Sequence, residues 1–319
     1  MERRWKWVVM AAGLAAGSAF AQSDKITRII VAFPPGGPVD FVARTISEQF
    51  GKELGQQIIV ENKPGANGAI GADAVAHAAP DGSTLWLTSV GAIAINPVLY
   101  EKLSYDVQRD FAPVSLVVNN DELLVIKGDN PAKNVPEWLA AAKQQGRQLA
   151  IASSGIGSIP HLAEEQLALA TKANLLHVPY KGAAPAITDV LGGQVDAFFG
   201  DIPGLIGFVR SGKLKAIGIA APKRSPVLPD VPTLTEQGVA NVDTNNWYAL
   251  FAPAKTPPEK IAAINKAVHA TLTAPAVRDR LLAAGTDPAA STPQDLATLT
   301  RSDTEKWGAL IRANKIKPE

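Results

Sequence analysis

The sequence predicts an α/β protein of two lobes joined by two crossing strands, and three observations carry that reading. Its 319 residues suit two domains at roughly 100–200 residues each. Short β-branched runs alternate with amphipathic segments in two separate blocks, and the alternation breaks after Phe111 into two adjacent apolar runs. The composition, 46% hydrophobic and 19% charged, is that of a globular chain rather than a disordered segment or a coiled coil.

The first block opens with residues 27–33 as a buried strand. Val42, Ile46, Phe50 and Leu54, at a spacing of four, then put an apolar face on a helix. Residues 58–61 come next as a strand, 69–78 as a helix and 84–88 as a strand, with a turn at Asp81-Gly82. This βαβαβ order implies a parallel sheet with right-handed crossovers.

The apolar runs 112–118 and 123–126, divided by Asn119-Asn120-Asp121-Glu122, carry the chain to the second lobe. There the pattern resumes with strand 149–152, helix 162–171, strand 175–178, helix 184–191 and strands 197–199 and 216–220. The proline-rich stretch 222–232 ends it, and the apolar run 247–252 is the return crossing. Beyond residue 252 the chain is expected to be helical only. Thr256-Pro257-Pro258-Glu259 and Thr292-Pro293-Gln294-Asp295 each offer a capping hydroxyl, proline in the first turn and a carboxylate three residues on. Having no strands of their own to cover, these helices are expected back on the first lobe. Lobe one is then 22–120 plus 250–319, and lobe two is 121–249.

Residues 1–21 stand outside the fold as a signal peptide. Arg3, Arg4 and Lys6 form the charged start, 7–17 the apolar run, and Ala19-Phe20-Ala21 the small-x-small pattern for a cut after Ala21. The uncharged stretch 7–21 holds 15 residues, short of the ~20 that a spanning helix needs. No cysteine succeeds the cut, which excludes a lipid anchor and points to a freely exported, periplasmic protein. Loss of Glu2, Arg3, Arg4 and Lys6 with the segment takes the formal charge from +1 to −1, so no basic surface is offered to nucleic acid.

The chain has no cysteine, which excludes disulfides, thiolate nucleophiles and zinc–cysteine sites. His77, His161, His177 and His269 show neither the pairing nor the clustering of a metal site. The glycines Gly65, Gly68 and Gly71 fall at spacings of three and three, not the two and three of a dinucleotide fingerprint, and read as a turn into a closely packing helix. No metal and no cofactor is expected.

Ligands of open α/β sheets bind beyond the carboxyl ends of the strands, which directs attention to four loops. The first is Pro34-Pro35-Gly36-Gly37-Pro38-Val39-Asp40, where two glycines permit close backbone approach and a helix start offers unpaired N–H groups. Asp40 suits a cap or an i,i+4 partner of Arg44 at least as well as a ligand contact. The second loop carries Thr88, Ser89 and Gly91. The third, Ser153-Ser154-Gly155-Ile156-Gly157-Ser158, leads into a helix with His161. The fourth is Pro179-Tyr180-Lys181-Gly182-Ala183-Ala184, supplemented by Gly200-Asp201 after a later strand. N–H and O–H donors dominate and aromatic rings are few, so the expected ligand is a small organic carboxylate.

At these residues the chain resembles the periplasmic receptors of tripartite tricarboxylate transporters, the Bug receptors. The shared motifs run from Ile30-Val31-Ala32-Phe33-Pro34-Pro35-Gly36-Gly37 with Asp40 and Arg44, through Val60-Glu61-Asn62-Lys63-Pro64-Gly65 and Asp81-Gly82-Ser83-Thr84, to Val178-Pro179-Tyr180-Lys181-Gly182 and Gly193-Gln194-Val195-Asp196. The resemblance covers essentially the whole chain after the signal. It implies a type II periplasmic-binding-protein fold, two Rossmann-like lobes joined by two crossing strands. It also implies a ligand carboxylate held by backbone N–H groups and waters at Phe33 to Gly37, and hydroxyl and amide contacts from 153–158 and 180–184. Asp201 would face the far end of the ligand, where specificity varies. Many relatives have a more polar, often histidine-bearing stretch where this chain has Val90-Gly91-Ala92-Ile93, an apolar lining that leaves room for an aromatic or monocarboxylic acid.

The implied partners are the membrane subunits of such a transporter, with a sensor kinase ectodomain as the alternative output, and the expected state is a monomer. An exported hydrolase with Ser154 as nucleophile and His161 as base lacks both the Gly-x-Ser-x-Gly order and a third partner, so the chain is not expected to be an enzyme.

Overall fold

The computed structural model describes residues 26–318, so the signal-peptide reading of 1–21 lies outside the described residues. The first block supplies β1 (Ile26–Val31), α1 (Pro38–Leu54), β2 (Gln57–Asn62), α2 (Ala69–Ala76), β3 (Thr84–Ser89), α3 (Asn96–Leu99), α4 (Val107–Asp110) and β4 (Phe111–Asn120). The second supplies β5 (Glu122–Lys127), α5 (Val135–Gln144), β6 (Leu149–Ser153), α6 (Ile159–Thr171), β7 (Leu175–Pro179), α7 (Ala183–Gly192), β8 (Ala197–Asp201), α8 (Ile202–Arg210) and β9 (Leu214–Ile219). The chain ends with β10 (Tyr248–Pro253), α9 (Pro258–Thr273), α10 (Pro275–Ala283), β11 (Thr286–Pro288) and α11 (Pro293–Ala313).

These strands form a six-stranded sheet of order β11-β4-β10-β3-β1-β2 and a five-stranded sheet of order β7-β6-β8-β5-β9. The βαβαβ start gives parallel pairing of β1 with β2 and β3, as its order requires. Strands that cross between lobes run the other way. β10 is antiparallel to both β3 and β4, and β5 is antiparallel to both β8 and β9.

Helix α1 shows how the sequence writes its own ends. Pro38 begins it with a preset φ, and Gly55 ends it in the left-handed region, its N–H closing on Gly51 and Lys52 carbonyls. Val42, Ile46 and Phe50 are almost wholly buried on one face, each contributing about 1.5–3 kcal/mol of burial free energy. Each sheet is covered on both faces by apolar clusters. In the first lobe Trp86 anchors one face, its ring 4.7 Å from Phe111 and 5.9 Å from Phe251.

The chain leaves the first sheet at Asp121, between β4 and β5, and returns through the residues before β10. The two crossings lie side by side: Asp121 pairs with Asn245 in an antiparallel bridge, and the Asn246 N–H donates to the Asn120 carbonyl at 3.0 Å. Helices α9, α10 and α11 return to the first lobe, against α1 and β4. Two expectations fail there. The tail is not purely helical, since Thr286–Pro288 adds β11 to the edge of β4; three residues are too few to show a period. Thr256 does not cap α9, whose N-cap is Pro257, and its hydroxyl is buried without a partner. Thr292 does cap α11, accepting from the Asp295 N–H.

Candidate functional site

The loops singled out in the sequence converge between the lobes. Phe33, Pro34, Pro35, Gly37, Ser89, Ser154, Ser158, Gly182, Ala183, Ala184 and Asp201 all line one narrow cavity of about 50 Å³. It opens into a wider mouth of about 610 Å³, where Gly155, Tyr180 and Lys181 stand. The lobes touch across this cleft. The Asn67 side-chain amide of the first lobe donates to the Gly157 carbonyl of the second at 2.8 Å. A Cβ at Gly182 would stand 3.1 Å from Pro34 Cγ.

The first loop is shaped from behind by Asp40. Its carboxylate accepts from the Gly36 N–H, Arg44 Nε and Asn62 Nδ2, each at 2.9 Å, while Asn62 also reaches the Phe33 carbonyl at 3.1 Å. Burial pushes the Asp40 pKa up, but the Arg44 guanidinium, the Gly36 N–H and the Asn62 amide outweigh it and hold the carboxyl below the usual carboxylate range. Gly36 turns the loop at φ +77°, a conformation other residues adopt only under strain. Asp40 and Gly36 are therefore scaffold behind the cavity wall.

The third loop rests on a stack of two imidazoles. His161 and His177 lie face to face with ring centroids 3.8 Å apart. The Gly157 N–H donates to His161 Nδ1 at 3.2 Å, and Ser153 Oγ lies 2.7 Å from His177 Nε2. Burial, with His161 alongside, pushes the His177 pKa down to about 3, so that ring is neutral at ordinary pH. Ser158 caps α6 by accepting from the His161 N–H at 3.4 Å, and donates to the Gly155 carbonyl at 2.6 Å. His161 is thus occupied with the loop and with His177, not paired with Ser154 as a base to a nucleophile.

The electrostatics of the cavity come from backbone. Helices α1, α6 and α7 begin at its wall, with N-caps Gly37, Ser158 and Gly182. Their first-turn N–H groups lack carbonyl partners within the helix, and their dipoles turn positive ends inward. Among the described residues, no lysine, arginine or histidine lines the inner cavity. Its far wall is different: Asp201 and Asn246 sit there, with Asn246 Nδ2 donating to Asp201 Oδ1 at 2.9 Å.

Several expected positions lie elsewhere. Thr88 and Ser153 are wholly buried in strands, and Gly157 and His161 brace the third loop from behind. The stretch Val90-Gly91-Ala92-Ile93 does not supply an apolar lining. It is buried in the first lobe's own core, within a π-helical turn at Gly91–Ile95, and Asn67 packs between Gly91 and the cleft. The notable omissions are Asn67 and Asn246. Asn67-Gly68 is a turn pair, and Asn67 adopts a left-handed φ of 46°, which is the local signal that could have marked it. Asn246 left no signal beyond preceding an apolar strand.

Comparison with known proteins agrees with this geometry. The family model described as tripartite tricarboxylate transporter family receptor matches residues 42–316. Protein BugT of Bordetella pertussis is 34% identical over 311 residues, covering 97% of this chain and 95% of BugT. MatC of Rhodopseudomonas palustris, solved with bound malate, superposes with a TM-score of 0.82 at 36% identity, covering 90% of this chain and 98% of MatC. Rpa4515 of R. palustris, solved with adipate, gives 0.88 at 29% identity, covering 92% and 98%. The family and its structural neighbours are solute-binding receptors, not enzymes. The chain belongs to the tripartite tricarboxylate transporter receptor family, the Bug receptors.

Proposed function

We propose that the protein is a periplasmic solute-binding protein that captures a small organic carboxylate in the inter-lobe cleft and delivers it to a tripartite tricarboxylate-type membrane transporter. One observation carries the reading: the N-termini of α1, α6 and α7 meet at a single cavity whose inner wall, among the described residues, holds no cationic side chain. Such a site binds an anion through N–H dipoles and hydroxyls rather than through an ion pair. Ser89 and Ser154 add hydroxyl donors, and Phe33, Pro34 and Phe198 give the ligand's carbon skeleton an apolar bed. The malate and adipate found in the two R. palustris relatives support a carboxylate as the ligand class.

The carboxylate sits against the 33–37 loop and the starts of α6 and α7, so it touches both lobes at once. A ligand that bridges the lobes binds the closed form better than the open one and draws the population toward closure. The protein works as a monomer, and its closed face is what the membrane partner reads. Two experiments test this. Calorimetry on the mature protein should show binding of one or more small acids and none of their amides. A pull-down with the transporter's membrane subunits should require the bound acid; equal capture without it contradicts delivery.

A further inference from the structure

The inner end of the cleft sets one carboxyl, Asp201, against a second, Glu122, at the start of α8. Glu122 and Asp201 are register partners in the antiparallel pair of β5 and β8, a position where like charges oppose each other directly. Glu122 is fully buried, and Asp201 reaches the cavity with 9% exposure. The groups facing the pair are Asn246, Tyr248 of β10, and Asp121 at the crossing, with Asp243 and Asp287 around Asp121; among the described residues no cation bears on either acid.

The hydrogen bonds there leave acceptors over. Asn246 Nδ2 donates to both oxygens of Asp201, at 2.9 and 3.1 Å, and points toward Glu122 Oε1 at 3.4 Å. Tyr248 donates its hydroxyl to Asp201 Oδ2. The two carboxyls fix which way the Asn246 amide turns, since the reverse orientation would aim its oxygen at theirs. After these bonds Asn246 Oδ1 and Glu122 Oε2 are both buried without a donor. Asn246 is 7% exposed and lines the cavity beside Asp201, while its free oxygen is itself buried.

Resting on the carboxylate reading of the cleft, we propose that this inner end is a donor-selective subsite: the ligand sets its carboxylate at the starts of α1, α6 and α7 and places a hydroxyl, an ammonium or a protonated carboxyl against Asp201. Two desolvated acids side by side, with no cation beside them, do not both ionise, and burial raises both above their usual range. One shared proton leaves the pair singly negative. A ligand donor then gains a charge-assisted hydrogen bond, while an ionised second carboxylate meets the negative charge of the pair. A dicarboxylic acid binds only by taking up a proton.

Calorimetry on the mature protein at pH 8 tests this with unsubstituted, ω-hydroxy, ω-amino and α,ω-dicarboxylic acids of three to six carbons, together with their amides. The hydroxy or amino acid of the best-fitting length should bind at least about tenfold more tightly than the unsubstituted acid and the dicarboxylate of that length. Dicarboxylate affinity should rise about tenfold from pH 8 to pH 7 with uptake of one proton, read from buffers of different ionisation heat. Asp201→Asn should shift the ratio of dicarboxylate to hydroxy-acid affinity at least about tenfold toward the dicarboxylate. Should that variant fail to fold, the wild-type series and its proton count decide. An ionised dicarboxylate that binds as tightly as its hydroxy and amino analogues, with no proton uptake, overturns the inference alone. Amides that bind as well as acids overturn the carboxylate reading beneath it.

Discussion

Asn67 of the first lobe holds Gly157 of the second through a 2.8 Å hydrogen bond from its side-chain amide, and the same amide nitrogen also bonds Asn96 Oδ1 at 3.0 Å. The contact ties together two loops 90 residues apart in the chain. A bond that spans the two lobes stabilises the arrangement seen here and any ligand it encloses.

Replacing Asn67 with glycine keeps its left-handed backbone accessible and removes the latch. The closed form should lose about 1–2 kcal/mol, read as a roughly five- to thirtyfold rise in ligand Kd. Small-angle scattering of the ligand-free protein should show a larger mean radius. An unchanged Kd in the folded variant would remove Asn67 from the closing contacts.

Gly182 offers a steric test of the same closure. Its φ is +113°, and a Cβ there would press to 3.1 Å from Pro34 Cγ on the opposite lobe. Gly182→Ala should weaken ligand binding by about 1–3 kcal/mol. Part of that loss is the collision itself, so a cycle with Pro34→Ala should recover some of it. Strict additivity of the two changes would place the whole effect in the loop backbone.

Asp40 acts on the site without touching it. Asp40→Asn should destabilise the protein by about 1–3 kcal/mol at pH 7 and raise ligand Kd, because the turn at Gly36 loses its charged brace. The folded pKa of Asp40 is lowered, so its contribution is complete above the unfolded carboxylate range and vanishes as pH falls through the lower folded value. Wild type and variant should therefore converge in thermal stability as pH falls below the usual carboxylate range and through the lower folded value. A gap that persists there would assign the effect to packing rather than charge.

Asp121 has the opposite sign. Burial, with Asp287 and Asp243 nearby, pushes its pKa up to about 6, above the usual carboxylate range. The folded state then binds more protons than the unfolded state between about pH 4 and 6, and stability falls as pH rises through that window. Asp121→Asn should be neutral at pH 3.5 and stabilising by about 2–3 kcal/mol at pH 8. A variant no more stable than wild type at pH 8 would refute the buried charge at the crossing.

Much of this architecture is legible because its signals are local. The period of Val42, Ile46 and Phe50 marks α1, and the break at Asn119 to Glu122 marks the passage between the sheets. The loop chemistry of 34–37 and 153–158 is equally local, since glycines and hydroxyls at helix starts announce themselves. The hidden part depends on contacts between distant segments. Asn67 matters because Gly157 comes to meet it, and Asn246 because β5 and β8 bring Glu122 and Asp201 together. Thr88, Ser153 and Val90 share the loops' composition yet face into strands and core, and only the fold decides which side of a loop faces the cleft. Helix α8 opens on Ile202-Pro203-Gly204, breakers that mask its apolar face, and β11 has three residues and hence no period.

The property proposed for the cleft is capture of a carboxylate through helix N-termini and hydroxyls. Thermal unfolding of the mature protein against a panel of small acids and their matching amides tests it most directly. At a hundredfold excess over Kd, binding adds about 2.7 kcal/mol and moves the transition by several degrees. That shift is expected with at least one acid and not with its amide. Equal shifts from acid and amide, or no shift with any acid after refolding to strip bound ligand, would contradict carboxylate capture.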